Sequence, residues 1–441
     1  MTQMNMERIS NKSKLVDKRF LLPFVLVTSL FALWGFANDI TNPMVAAFQT
    51  LMELPASEAA LVQFAFYGGY ATMAVPAALF IRRYSYKRGI LIGLGLYAVG
   101  AFLFIPAAAQ QSFAYFCISL YILTFGLAFL ETTANPLILS LGSKETSTRR
   151  LNLAQAFNPI GSLLGMSVAS LVVLPGLLSD KRDAAGEIIY STLPAVEKAA
   201  ICEHDLALIR NPYVAIGIVV LLIFVVFFCV TIPNLQGERA VRADNIATLK
   251  NLWNNRKYRY GVVAQMFYVA AQIMVWTFII QYADNLGINK ATAQNYNICA
   301  MILFLCGRFI STIFMRYCRP GVLLAVFAVG ATLASLGAIF IVGMTGLYCL
   351  VAISFFMSLM FPTIYGIALE NVSREDTSLG AAFLVMAIVG GALMPPLQGM
   401  VIDAGTMFGM PAVNVSYALP MLCFVIVTIY AFGCRRVQKQ Q

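Results

Sequence analysis

The sequence is poor in charge, in histidine and in compact catalytic signatures. Only 11% of its 441 residues are charged, against roughly 25% in soluble globular domains. With 60% hydrophobic residues and a mean hydropathy of +0.79, this excludes a soluble enzyme or binding domain of this length. The chain has one histidine, His204, which reads as a loop surface residue. There is no HExxH, no GxSxG and no CxxC pair, so metalloprotease chemistry, serine-hydrolase chemistry and a cysteine metal site lack their residues. The nine cysteines lie mostly in apolar runs and read as small hydrophobes. The first 20 residues are polar and basic and the first apolar run is long, which does not read as a cleavable signal.

What is present is a series of long apolar runs. Stretches of about 20 residues or more predict twelve membrane spans, at 20–48, 58–81, 89–108, 113–141, 150–175, 212–233, 259–283, 292–315, 321–343, 346–370, 378–402 and 412–434. The runs are continuously apolar rather than alternating, so they are helices and not barrel strands. A polar segment, NLQGERAVRADNIATLKNLWNNRKY, separates six spans from six. The expected organisation is an N-terminal bundle with a polar tail, 1–233, a linker, 234–258, and a C-terminal bundle with its own tail, 259–441. The fold class is therefore an all-α polytopic membrane protein of twelve transmembrane helices in two six-helix bundles.

Basic residues gather in alternate loops, among them Arg82, Arg83, Lys87 and Arg88, then Lys144, Arg149 and Arg150, then the linker. By the positive-inside rule both termini are cytoplasmic and the chain is multi-pass in the inner (cell) membrane. The net charge of +10 follows from this asymmetry. It points to the lipid bilayer as partner and not to nucleic acid. The halves echo each other: FIRRYSYKRGILIG from Phe80 has a counterpart in FMRYCRPGVLLA from Phe314, and NLAQAFNPIGSLLGM from Asn152 one in LGAAFLVMAIVGGALMPP from Leu379. Parallel repeats of six helices fit a transporter built from two halves.

Three formal charges lie deep within spans: Asp39, Glu131 and Arg308. Each costs about 2.5–3.5 kcal/mol at the bilayer centre on insertion scales, so such groups usually face a cavity and function. Polar residues accompany them at helical spacing. Asn38 and Asn42 flank Asp39, and 39 and 42 share a face. Asn135 is four residues from Glu131, and Gln155 and Asn158 are three apart. Gln265, Tyr268, Gln272 and Trp276 form a stripe on span seven, and Gln63, Tyr67 and Tyr70 one on span two. A single amide serves helix packing as often as binding; five stripes together point to a polar cleft. Amides and carboxylates suit the hydroxyls of a sugar, and Trp and Tyr suit its apolar ring face. Burial disfavours the charged form of a carboxylate, which makes Glu131 and Asp39 candidates to carry a proton. Arg308 is either an ion-pair partner of Glu131 or a charge holding an inner gate. Pro43 loosens the first helix. No residue set calls for a cofactor or a metal.

The segments FALWGFANDITNP, FGLAFLETTANP, RRLNLAQAFNPIGS, AQMFYVAAQIMVW and FLVMAIVGGALMPPLQG resemble the fucose:proton symporter family of the major facilitator superfamily. The resemblance runs from about residue 20 to 434 and is most specific in LETTANP and RLNLAQAFN. It implies proton-coupled import of a monosaccharide, L-fucose, by alternating access in a monomer, with galactose and glucose as the sugars of other branches. It implies that Glu131 is the family's helix-four glutamate, tied to proton coupling, and that Gln155 and Asn158 belong to the sugar site. One departure stands out. The family's helix-one carboxylate falls at Asn42 here and its asparagine at Asp39, an exchange across about 4.5 Å of helix rise. Other readings are a sugar-binding membrane sensor, for which linker and tail leave no room, a solute exporter, which would need fewer amides, and a membrane enzyme, for which no motif speaks.

Overall fold

The computed structural model describes residues 15, 16, 18–54, 61–179, 181, 189–232, 245–288, 290–373, 375–402 and 404–437. Twelve helices in it are long and apolar enough to cross a membrane. They are α1 (Leu21–Leu51), α2 (Leu61–Arg83), α3 (Tyr86–Ala109), α4 (Phe113–Ser140), α5 (Lys144–Val173), α6 (Ala195–Cys229), α7 (Arg256–Asp284), α8 (Lys290–Phe314), α9 (Pro320–Phe340), α10 (Met344–Leu369), α11 (Thr377–Ile402) and α12 (Ala412–Cys434). Successive helices run in opposite directions, so the linker side of the molecule and its far side are well defined. The expected linker holds a helix of its own, Asn245–Asn254, and α7 begins within it at Arg256.

In lipid, apolar helices gain little from hiding their surfaces from each other, and close backbone approach carries the packing instead. The crossing of α1 and α5 shows this directly. A Cβ on Gly35 would collide with the Asn158 carbonyl, and one on Gly161 with the Ala32 carbonyl. The second bundle repeats the arrangement between α7 and α11, where a Cβ on Gly390 would collide with the Met266 carbonyl. The run NPIGSLLG thus places α5 against the middle of α1, beside Asn38 and Asp39.

Proline breaks the helices where polar groups are needed. In α5 the helix turns at Ala156 and Phe157, with Pro159 opening the next segment. Proline has no N–H for the carbonyl four residues back, which is that of Gln155. In α10 the break at Ser358 and Leu359 precedes Pro362 in the same way. Arg150, buried to 0% exposure, closes the end of α4: its Nε donates to Ile138 O at 2.7 Å and its Nη2 to Leu139 O at 2.6 Å. A cation is favoured there, where helix carbonyls lack partners.

The bundles meet on the linker side. Arg149 Nε donates to Thr312 O at 3.2 Å, Asn152 Nδ2 to Thr363 Oγ1 at 3.2 Å, and Arg308 Nη1 to Gln155 O at 3.2 Å. Arg82 fastens the linker helix through Asn245 Oδ1 and Thr248 Oγ1, at 2.9 and 2.6 Å. Among the described residues no hydrogen bond joins the bundles on the far side. There the contacts stay within one bundle: Tyr190 donates to Leu51 O at 3.0 Å and Lys198 pairs with Glu53 at 2.6 Å. A two-stranded hairpin, β1 (Thr406–Met407) and β2 (Met410–Pro411), joins α11 to α12, with Thr406 opposite Pro411. Its turn residues Phe408 and Gly409 both have positive φ, 54° and 75°, which matches the twist of a two-residue hairpin.

Candidate functional site

Between the bundles, near the middle of α1, α4, α5 and α7, lies a cavity of about 130 Å³. A water needs about 10–15 Å³ on this measure, so the space takes on the order of ten water-sized groups, one small ring molecule with its substituents. Its two walls differ. The N-terminal half contributes Asn38, Asp39, Glu131, Gln155, Asn158 and Ser162, with Tyr67, Tyr70, Trp34 and Phe31. The C-terminal half contributes Gln272, Trp276 and Arg308 among Val269, Ile273, Phe304, Phe361 and Ile388. One wall is therefore rich in donors and acceptors, and the other largely apolar and aromatic. This suits a neutral ligand with a polar edge and an apolar face.

Several groups are held in place by bonds that point away from the cavity. Trp276 Nε1 donates to Ser354 Oγ at 3.2 Å, and its ring meets Phe304 edge-on at 5.1 Å. Trp34 Nε1 donates to Leu127 O at 3.3 Å, and Gln155 Nε2 to Asn135 Oδ1 at 2.8 Å. Asn158 and Gln272 make no hydrogen bond to other described residues, so their amides are open to the cavity. Arg308 forms the floor. Its Nη1 reaches the Gln155 carbonyl that Pro159 leaves without a helical donor, and its guanidinium lies 4.8 Å over the Phe304 ring. Among the described residues no ion pair joins Arg308 to Glu131. Glu131 instead has the phenols of Tyr70 and Tyr365 and the Asn135 amide as neighbours.

Ten of the residues singled out in the sequence line this one cavity: Asn38, Asp39, Tyr67, Tyr70, Glu131, Gln155, Asn158, Gln272, Trp276 and Arg308. Three do not. Asn135 is fully buried behind Gln155 and orients it. Tyr268, also fully buried, donates to Met357 O at 3.1 Å; at about 100° per residue it is turned well off the face shared by Val269, Gln272 and Trp276. Gln265 shares that face but lies about two turns, roughly 10 Å, below Gln272, where the bundles have closed. The side chains of Asn42 and Gln63 lie outside the described residues. Sequence reasoning overlooked Trp34 and Ser162, although each is four residues from a chosen amide and hence on its face. The apolar lining carries no sequence signal, because apolar residues also cover the lipid-facing and packed faces of a membrane helix. Among the described residues no group of three or more His, Cys, Asp or Glu could hold a metal.

Comparison with known proteins identifies the chain's relatives. The sequence profile of the Major Facilitator Superfamily matches residues 25–395. The chain is 60% identical over 427 residues, 97% of this chain and 100% of the relative, to the L-fucose-proton symporter of Haemophilus influenzae. It is 28% identical over 417 residues, 94% of each chain, to the glucose/galactose transporter of Brucella abortus. A crystal structure of the Major Facilitator Superfamily transporter FucP in the outward conformation is 33% identical, with a TM-score of 0.84 over 94% of this chain and 99% of that one. The chain belongs to the Major Facilitator Superfamily and, within it, to the fucose:proton symporter family.

Proposed function

We propose that the chain carries L-fucose into the cell together with protons, by exposing one cavity alternately to the two sides of the inner membrane. The observation that carries this is the pair of carboxylates, Asp39 and Glu131, set in an amide-rich wall opposite an apolar one. Asn38, Gln155, Asn158 and Gln272 offer hydrogen bonds to the sugar hydroxyls, and Trp276 covers the ring face. Val269 and Ile273 suit the methyl group that L-fucose bears where galactose has a hydroxymethyl. The 60% identity to an L-fucose-proton symporter supports the same sugar and the same coupling ion.

Coupling follows from desolvation. An ionised carboxylate sealed into a closed cavity is costly, and its protonated form much less so. Sugar and proton together therefore favour closure of the far side over the site. On release, Arg308 is the cation in the same cavity that can neutralise Glu131 for the empty return. The moving units are the bundles 1–233 and 259–441, joined by 234–258, and one chain suffices as a monomer. The basic loops support a cytoplasmic linker side and cytoplasmic termini, and with that orientation the closed linker side makes this an outward-facing conformation, as in the FucP structure it resembles. The activity is transport and not catalysis.

A second reading, galactose or glucose symport, is favoured by the exchange of carboxylate and amide between Asp39 and Asn42. Uptake of radiolabelled L-fucose, D-galactose and D-glucose into proteoliposomes separates the readings. Accumulation of L-fucose under an inward proton gradient, and not under a sodium gradient, is expected. Accumulation of only galactose or glucose moves the chain to the second reading.

A further inference from the structure

Beneath the cavity floor, toward the linker side, lies a layer of buried polar groups that do not line the central cavity. Asn135 of α4, Asn152 of α5, Gln265 of α7 and Tyr365 of α10 all have 0% exposure. Each has polar atoms without a hydrogen-bond partner: Nδ2 of Asn135, Oδ1 of Asn152, both amide atoms of Gln265 and the Tyr365 hydroxyl. Native proteins leave few such groups, because an orphaned buried donor or acceptor forfeits its hydration without compensation. A concentration of them in one layer calls for a partner in another state of the molecule.

The four side chains lie at one depth. Asn152 donates to Thr363 Oγ1, two residues from Tyr365. Tyr365 faces the Asn135 amide without reaching hydrogen-bond geometry. Along α7 and α10, Gly261 lies against Ala368 and Tyr268 against Phe361, which brings Gln265 level with Ile364 and Tyr365. Glu131, at the cavity boundary, neighbours both Asn135 and Tyr365. The layer is contributed equally by the two bundles, and it is sealed by the Asn152–Thr363 and Arg149–Thr312 contacts. Opening of the linker side would break those contacts and expose the layer directly below the sugar.

We propose that Asn135, Asn152, Gln265 and Tyr365 form a second monosaccharide subsite on the release path, closed in this conformation and engaged by the departing sugar once the linker side opens. The inference rests on the sugar-transport reading above. The chemistry is that of the central wall, neutral amides and a hydroxyl, and it suits a neutral polyol. A weaker site one step below the first divides the loss of the sugar's central bonds into two smaller steps, the first of them beside the group that must also release its proton.

The test uses full-length chain in proteoliposomes of known orientation at equal pH on both sides, comparing wild type with Gln265→Leu and Tyr365→Phe. For each, the KM for L-fucose is measured for entry from the far side and for exit from the linker side. The entry KM is expected to stay within about twofold, and the exit KM to rise about three- to tenfold, the worth of one or two neutral hydrogen bonds. Thermodynamic balance then requires the ratio of exit to entry Vmax to rise by the same factor. Gln265→Leu should also melt no lower than wild type, since it removes two orphaned atoms. Equal shifts of both KM values would merge the layer with the central site, and no shift in either would mean that the orphaned groups meet only water; both results overturn the subsite. Wild-type protein that moves no sugar would sink the transport reading itself, an outcome distinct from intact wild-type transport with unaltered variants.

Discussion

Asn158 is the residue on which the sugar site can be tested with least disturbance to the fold. Its amide faces the cavity and holds no other described residue in place. Asn158→Ala should weaken L-fucose binding about three- to tenfold, one neutral hydrogen bond, with unchanged expression; calorimetric titration of purified protein measures it, and wild-type affinity would remove Asn158 from the site. Arg150 is the opposite case. Truncation of this buried side chain strips the α4 carbonyls of Ile138 and Leu139 of their donors. Arg150→Ala should destabilise the protein by about 2–5 kcal/mol, read as a fall in Tm with sugar affinity per folded molecule preserved. In the sequence Arg150 is one of several topology charges, since its role as a helix cap depends on a loop that folds it back. Polar residues in an apolar run were easy to single out, and most reached the cavity. Gln265 did not, because helical spacing reports angle but not depth or the level at which two bundles close, and Tyr268 did not, because a stripe at spacings of three and four is wider than the face that meets the cavity.

At the scale of the element, the broken helix α5 links sequence to gate. Pro159 removes the donor for Gln155 O, and Arg308 of the other bundle takes that carbonyl. Pro159→Ala supplies an N–H that competes for it, so the linker-side closure should loosen. Spin-label distances between α5 and α8 on the linker side should then lengthen or broaden toward the open form; an unchanged distribution would mean that the closure does not depend on this bond. The NP dipeptide made the break legible, and the glycines of NPIGSLLG made close packing legible. Which helix they pack against was not, since many glycines are spread over the spans. On the far side, burial pushes the Tyr190 phenol up to about 12, so it remains a donor to Leu51 O throughout the physiological range. That contact should therefore show no pH dependence of its own below that value.

For the whole molecule, the twelve spans, the two bundles and the polar stripes could be read from hydropathy, charge asymmetry and spacing, because a membrane imposes those regularities on every chain that crosses it. The apolar wall, the absence of a Glu131–Arg308 ion pair and the closed linker side could not, because they depend on how two bundles meet. Glu131 lines the cavity and stands beside Asn135 and Tyr365 of the layer below it. In the proposed mechanism this carboxyl ties proton movement to sugar movement. The most direct test is Glu131→Gln in proteoliposomes, assayed for accumulation of L-fucose under an inward proton gradient and for exchange between two sugar-loaded compartments. Accumulation is expected to be lost while exchange persists, since exchange needs no net proton transfer and glutamine resembles the protonated acid in shape and polarity. Retained accumulation would place the coupling proton on another group, and loss of exchange as well would make Glu131 a sugar ligand or a structural residue.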